Sequence, residues 1–436
     1  MAIQKNFTPV PEDTLVLGAN NYYSMDGKKT HINNNVLVVG RSGSGKTRYL
    51  VKPNLLQLNG SYVVSDPKGQ LYKEFKDYFE ANGYDVLHMD FIHPEKSTHY
   101  NPLAKIRNTQ DITRIAHAIV YSNEGKMPDP FWESNSVLLL SALIGYLYET
   151  PTIAKKNKNI TKLQELTSFC SRDSLTSLPG ERHLSKMSVL MEKHNEQMKK
   201  LGKKSWAFLQ YQKVNSNPDK TFLCILTTLY TKLLIFDSEE VQAMISRDGF
   251  DFRMLGQKPT VLFVEVSDTD RSMDSLSNLF FSQLMNALCS YADEECENGE
   301  LPIPVHCILD DFGTNVKLIG YENIISNIRS RKIDTMLMIQ DLSQLEASYG
   351  KALQTIVSNC ASCLYLGGSN YETASEFAKR ANKPVHELLN MPIDTCWLFR
   401  IGQKPQEVDF VDIDAMMVQK GFHTKTEVVE NEELLA

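Results

Sequence analysis

The octapeptide Gly40-Arg41-Ser42-Gly43-Ser44-Gly45-Lys46-Thr47 constrains this chain more than any other stretch. It fills the spacing G-x-x-x-x-G-K-[ST] and follows directly on the apolar run Val36-Leu37-Val38-Val39. A strand, a glycine-rich turn and a helix in that order let backbone N–H groups converge on phosphate oxygens, because glycine puts no Cβ in the way. Lys46 is then placed to reach the outer phosphates, and Thr47 to offer its hydroxyl to Mg²⁺. The pattern predicts a nucleoside triphosphate site on an α/β scaffold, with Gly40, Arg41, Ser42, Gly43, Ser44, Gly45, Lys46 and Thr47 as the nucleotide cradle.

A chain of 436 residues is long for one core, so two or three domains are expected. At 42% hydrophobic and 23% charged residues the composition is that of a globular protein. No run approaches 18 uninterrupted apolar residues. The greasiest segment, Val137 to Tyr148, contains Ser141 and Gly145 and reads as a buried helix. Met1 to Val10 lacks the apolar core of a signal peptide. Eight scattered cysteines fit a reducing cytosol, and the single Cys360-Ala361-Ser362-Cys363 reads as two small buried residues at the start of a strand. Net charge is −7, but Pro151 to Lys220 holds 14 Lys plus Arg against 6 Asp plus Glu, a local +8. Such asymmetry marks either a surface for an anionic partner or a set of solvated helix faces.

Along the first hundred residues strand and helix patterns alternate. Val36–Val39, Tyr62–Ser65 and Tyr84–Met89 read as strands. Lys46–Leu58 and Leu71–Ala81 read as helices, the first interrupted by Pro53. From about Thr109 to about Ser246 the periodicity is helical throughout. Alternation resumes with a strand at Thr260–Val266 and a helix over about Met273–Ala292, and strands follow near Val305–Leu309, Thr335–Ile339 and Cys363–Leu366. An α/β core interrupted by an all-helical insertion accounts for this order better than two tandem domains. The acidic stretch Glu427 to Glu433 reads as a frayed tail.

A phosphate loop needs a carboxylate for magnesium and water. Asp310 closes the apolar run Val305-His306-Cys307-Ile308-Leu309, where a strand-end acid holds Mg²⁺, and Asp311 follows in the position that orients the attacking water. The structural alternative for such an acid pair is a helix cap. Gln340 ends the run Thr335–Ile339, where an amide can sense the γ-phosphate. Arg329, in the basic cluster Asn327-Ile328-Arg329-Ser330-Arg331-Lys332, is placed either to reach a neighbouring subunit's phosphate or to compensate a helix terminus.

These segments, in order, resemble the type IV coupling proteins, the TraG-like ATPases of conjugation and type IV secretion. The blocks are Gly40–Thr47, Pro53-Asn54-Leu55-Leu56-Gln57, Ser65-Asp66-Pro67-Lys68-Gly69, Asn101-Pro102-Leu103 and Asp129-Pro130-Phe131-Trp132-Glu133. Leu309-Asp310-Asp311-Phe312, Arg329-Ser330-Arg331, Gln340, Asn359-Cys360 and Leu366-Gly367-Gly368 complete the set. The resemblance implies a RecA-like P-loop NTPase core, a mostly parallel sheet with helices on both faces, over residues 1–104 and 257–436. It implies an all-α substrate-recruitment domain over 105–256. It further implies ATP and Mg²⁺ as ligands and assembly as a homo-hexamer. Lys46, Asp310, Asp311, Arg329 and Gln340 would be catalytic, Thr47 and Asp310 would hold magnesium, and Arg400 would be a second nucleotide-contacting arginine. The partners it implies are a relaxase or relaxosome with DNA and the components of a type IV secretion channel.

The chain departs from the family pattern in three ways. It has none of the usual N-terminal membrane helices, so either a segment precedes Met1 or a separate anchoring partner brings a cytoplasmic protein to the inner face of the membrane. Asp311 stands where Glu is usual, which points to slow or partner-stimulated hydrolysis. The overall acidity leaves only local basic surfaces for DNA. Two other functions therefore stay open, a nucleotide-gated scaffold with little hydrolysis and a FtsK- or HerA-like DNA translocase.

Overall fold

Eleven short strands are found among the described residues of a computed structural model, which cover 8–121, 129–171 and 185–422 apart from Asn315 and Ile319. They are β1 (Thr14–Val16), β2 (Tyr22–Ser24), β3 (Val36–Val39), β4 (Ser61–Ser65), β5 (Asp85–Asp90) and β6 (Thr260–Glu265). β7 (Val305–Leu309), β8 (Ile333–Ile339), β9 (Ser362–Tyr365), β10 (Thr395–Arg400) and β11 (Gln406–Asp409) follow. β1 and β2 pair as a small antiparallel ribbon, and the other nine form one sheet in the order β11-β10-β9-β3-β8-β7-β4-β6-β5. The pairs β9–β3, β3–β8, β8–β7, β7–β4 and β4–β6 are all parallel. β10 and β11 close one side as antiparallel strands.

The parallel strands read as unbroken apolar runs because both sheet faces are covered. Val36, Leu37, Val38 and Val39 are each fully buried, as are Val64, Phe263 and Met338. On one face this packing continues into Leu50, Leu55, Leu71, Phe75 and Phe79.

By contact the chain divides into two compact units, counting described residues only. One comprises Met1–Met89, Phe252–Asp268 and Leu284–Ala436, and the other Asp90–Asp251 with Thr269–Gln283. Between Phe91 and Asp251 the described residues form helices and turns and no strand. The helix Pro130–Glu149 is the core of this second unit, with Leu139, Leu140, Ala142, Leu143 and Ile144 fully buried. Its start is specified by the block Asp129–Glu133. Asp129 accepts from the Phe131 N–H at 2.9 Å as N-cap and Pro130 takes the first helical position, where a missing N–H costs nothing. Glu133, from the same block, is buried against Lys232 at 3.4 Å. Among the described residues no single helix is long and apolar enough to cross a membrane.

One segment differs from expectation. The helix expected over Lys46–Leu58 is a π turn, Thr47–Val51, running into a short α segment, Lys52–Leu55. The Lys52 N–H bonds back five residues to the Thr47 carbonyl, and this widened turn accommodates Pro53, which has no N–H to continue an α ladder. The acidic tail Glu427 to Glu433 lies outside the described residues.

Candidate nucleotide site

The loop Gly40–Thr47 leaves the carboxyl end of β3 and is fixed at its base by β8 and by the turn after β9. The Gly40 N–H donates to the Ile339 carbonyl at 3.0 Å and the Arg41 N–H to the Gly367 carbonyl at 3.3 Å. Gly43 and Gly45 have φ of +76° and +84°, left-handed values that a side chain would strain. A Cβ at Gly40 would lie 2.7 Å from Ser44 Oγ and 2.9 Å from Leu366 Cβ, so only glycine lets the loop close here. Tyr49 lies against Gly45 and stacks on Phe410 with centroids 4.3 Å apart and planes within 1°.

The loop's polar groups have spare capacity. Ser44 Oγ is buried with no protein partner, and so is the Tyr365 hydroxyl at the end of β9, the strand beside β3. Lys46 is buried, and its ammonium donates to the Gly40 carbonyl at 2.7 Å and the Arg41 carbonyl at 3.4 Å. Burial depresses the Lys46 pKa, and the nearby carboxylates of Asp310 and Asp311 partly restore it. A buried ammonium satisfied only by loop carbonyls, beside an orphaned hydroxyl and glycine amides, is a cradle that suits a phosphate chain. A cleft of about 250 Å³ opens next to it, lined by Arg41, Ser44, Gly367, Gly368, Met391 and Ile393 among others.

Parallel register carries the other elements to the same sheet edge. Val39 pairs with Ile339, so Gln340 emerges level with Gly40. Leu309 pairs with Leu337 and Ile308 with Val64, so Asp310 follows one strand further on and Asp66 the next. Asp310 is tied down through its backbone: its N–H donates to Ser65 Oγ at 2.6 Å, and its Oδ1 accepts from the Asp311 N–H at 3.0 Å. Burial raises the Asp310 pKa and the Asp311 charge raises it further, against the opposing pull of Lys46. Asp311 itself is half-buried and holds φ at +48°, a left-handed conformation uncommon outside glycine that Asp tolerates better than most residues. Gln340 is exposed, and its N–H is capped by Gln344 Oε1 at 2.9 Å.

Asp66 is not aimed at the loop. Its two oxygens accept from the Gln70 and Tyr72 N–H groups at 3.2 and 2.9 Å, which caps the helix Gln70–Ala81, and burial raises its pKa.

The two arginines fall elsewhere. Arg329 precedes β8 and so lies at the amino end of the sheet, exposed, with Nη2 on the Gly27 carbonyl at 2.9 Å. This chain's fold does not bring it to its own loop. Arg400 is a correction. β10 runs antiparallel to β9, so Arg400 pairs with Ser362, level with Val36 at the start of β3. That is about 10 Å of strand below Val39, on the wrong side of the sheet edge for this chain's own nucleotide. Arg400 is buried there, donating to Ser362 Oγ at 2.5 Å with its guanidinium 4.0 Å from the Tyr23 ring centroid, which is a structural role. The orientation of β10 decided this, and no local pattern signals it. Sequence reasoning also missed Ser65 as the anchor of Asp310 and Tyr49–Phe410 as the loop's cover; only the Ser65–Gly69 block hinted at the first.

Cys360 and Cys363 are both buried, and burial raises both thiols, Cys363 to about 11, so they are inert packing residues.

A phosphate loop at the end of one parallel strand, an acid two strands away and a glutamine after the strand between place the chain in the RecA-like P-loop NTPase fold. The sequence matches the family described as type IV secretory system conjugative DNA transfer over residues 1–383, and the chain belongs to that family. It is 25% identical over 373 residues to the protein VirD4 of Agrobacterium fabrum, covering 82% of this chain and 50% of the relative. It is 23% identical over 390 residues to the conjugal transfer protein TraG of Escherichia coli, covering 81% of this chain and 56% of the relative. The chain thus spans about half the length of the curated relatives it matches.

Among solved structures, the bacterial conjugative coupling protein TrwBdeltaN70 in complex with sulphate superposes with a TM-score of 0.67 at 17% identity, over 93% of this chain and 91% of that one. The plasmid coupling protein TrwB in complex with ADP and Mg²⁺ gives 0.63 at 18% identity, over 93% and 91%. VirB4 of Thermoanaerobacter pseudethanolicus gives 0.56 at 13% identity, over 93% and 97%.

Proposed function

We propose that this chain is the ATP-driven coupling component of a DNA-transfer apparatus, recruiting a relaxase–DNA or protein substrate and handing it to a type IV secretion channel. The observation that carries the proposal is the convergence of the Gly40–Thr47 cradle, Asp310 and Gln340 on one edge of a parallel sheet in a chain of the conjugative DNA-transfer family. Lys46 leaves the loop carbonyls for the outer phosphates, and the glycine amides hold the rest of the chain. Thr47 and Asp310 would hold Mg²⁺, which supplies charge neutralisation at the transferring phosphoryl group. Asp311 orients the attacking water, and Gln340 senses the terminal phosphate. The cleft beside Ser44 takes the base.

Arg329 completes a neighbouring subunit's site, which makes the working form a ring, a homo-hexamer by the family resemblance. The helical unit selects the substrate, and a separate anchoring partner holds the assembly at the membrane. A second reading is favoured by Asp311 specifically. Its short side chain and left-handed backbone fit a scaffold in which ATP drives assembly and is turned over rarely.

The deciding measurement is ATP turnover with and without single-stranded and duplex DNA. Turnover that DNA stimulates and that Lys46→Ala abolishes is expected. ATP binding and nucleotide-dependent assembly without turnover would replace the motor by the scaffold. In the same assay, mixing Arg329→Ala with Lys46→Ala subunits restores part of the activity if Arg329 acts in trans.

A further inference from the structure

We infer that Lys155, Lys156, Lys199, Lys200, Lys203 and Lys204 form one contact surface for nucleic-acid phosphates at an end of the helical unit. The inference rests on the reading that this chain handles DNA, and it names the residues that would touch it. The two lysine segments are more than forty positions apart in sequence. Both leave the same end of the helix Pro130–Glu149: one continues directly from Thr150, and the other is pinned there by Glu149. That carboxylate accepts from His194 Nε2 at 3.0 Å, Ser205 Oγ at 2.7 Å and the Trp206 N–H at 2.8 Å. The Trp206 ring packs on Gly145, where a Cβ would approach it to 3.1 Å.

The turn is rigid from both sides. The helix Lys186–Lys200 closes with the Gly202 N–H on the Lys199 carbonyl and the Lys203 N–H on the Met198 carbonyl, both at 2.9 Å, with Gly202 at φ +69°. Ser205 then caps the helix Trp206–Asn215 through the Phe208 N–H at 3.0 Å. Four lysines are therefore presented on a fixed frame, at little cost in backbone entropy on binding.

These six lysines differ from their neighbours. Lys158 donates to the Tyr148 carbonyl, Lys162 pairs with Glu165 and Lys213 bonds to Gln210. The six are exposed, and their ammonium groups have no ion pair or hydrogen bond among the described residues. Residues 150–164 and 197–215 contain no Asp or Glu, in a chain whose net charge is −7. Glu149, at their junction, is half-buried and committed to His194, Ser205 and helix amides, and the nearest exposed acid in sequence, Glu196, lies one turn before Lys199 and Lys200. A platform on which six ammonium groups outnumber the acids beside them suits closely spaced phosphates, because each contact releases condensed counterions. A lipid surface would need a continuous apolar face under the charge. Here the exposed apolar side chains among the described residues include Tyr148, Leu201 and Leu209, each on a different element.

The test uses the full chain and labelled single-stranded and duplex oligonucleotides, with affinity followed from low to physiological salt. Reversing Lys199→Glu, Lys200→Glu, Lys203→Glu and Lys204→Glu together is expected to weaken binding by at least about 10-fold and to flatten the log affinity–log salt slope by about 3 to 4. A control with the same charge change on exposed residues of the other unit, Lys73→Glu, Lys351→Glu, Lys379→Glu and Lys404→Glu, is expected to stay within about 2-fold. If the reversed variant does not fold, the four Lys→Gln changes are read by the same two quantities. Equal losses in both variants would make the effect one of overall field and overturn the site. So would a wild-type chain that binds no DNA at any salt, or one whose turn lysines matter only for phosphatidylglycerol vesicles. ATP binding measured in parallel separates these failures from failure of the proposed function.

Discussion

The nucleotide-binding unit and the helical unit treat their buried polar groups in opposite ways. At the loop, Ser44 Oγ and the Tyr365 hydroxyl have no partner, Lys46 is satisfied only by its own loop, and Asp311 holds a left-handed backbone. In the helical unit the polar groups that tie its helices together are paired. Glu149 accepts from His194, Ser205 and Trp206, Ser185 and Ser188 bond to the Tyr211 hydroxyl, and Lys232 meets Glu133. Unused hydrogen-bonding capacity and local strain are expected where a ligand will supply the missing partners, and full satisfaction where the polar groups only hold helices together. The contrast separates a reactive edge from a rigid platform.

The largest expected effect breaks the reactive edge. Asp311→Asn keeps the size and the tolerance for a left-handed backbone but removes the charge proposed to orient water, so turnover is expected to fall by about 100-fold or more while ATP binding persists. Single-turnover hydrolysis beside equilibrium nucleotide binding reads both quantities. Unchanged turnover would move the water-orienting role to Gln340 or elsewhere.

The next effect falls on the platform. Glu149→Ala leaves the Ser205 hydroxyl, His194 and the Trp206 N–H without their acceptor, costing about 3 kcal/mol. The melting temperature of the helical unit then drops by about 6–12 °C. Scanning calorimetry with and without ATP reads it, and the affinity of the loop for nucleotide should not change. A loss of ATP binding in this variant would show that the two units do not divide the labour in this way.

The smallest effect is in pH. Burial alone would raise the Glu149 pKa, but His194, Ser205 and the helix amides more than offset it, so the folded value is lowered. Its contribution is present above the ordinary Glu range and is lost as pH falls through the lowered value. His306 behaves oppositely. It is buried on β7, its Nδ1 is 2.9 Å from Asp334, and Asp334 raises its pKa against the effect of burial. Its contribution is present below the ordinary His range and is lost as pH rises through the raised value. Melting curves across pH should therefore show the helical unit weakening on the acid side and the sheet on the alkaline side. Glu149→Gln and His306→Gln should each flatten only their own limb.

Much of the sheet edge is legible in the amino-acid order alone. Gly40–Thr47 after four apolar residues specifies β3 and the loop, and Asp310 after Val305–Leu309 specifies the acid, because these depend on adjacent residues. Gln340 is legible for the same reason. Arg400 is not, since its placement depends on β10 running antiparallel, and the run Thr395–Arg400 would look the same in a parallel strand. The π turn at Thr47–Val51 is half legible: Pro53 announces a break, but not that the turn before it widens. The lysines give a charge count; that Lys155 and Lys199 share one end of a helix depends on Glu149, which looks like any surface acid.

By itself, the sequence determined the class of chemistry. Loop, strand-end acid and strand-end glutamine are each specified by contiguous residues, and their physical requirements of glycine torsions, strand burial and a terminal polar side chain are local. Tertiary structure decided which of them meet. Parallel register brought Gly40, Asp310 and Gln340 to one edge, while the antiparallel run of β10 and the position of Arg329 before β8 put both arginines at the other, because strand direction decides which end of each strand faces the ligand. Packing around Glu149 then turned a local excess of lysine into a surface.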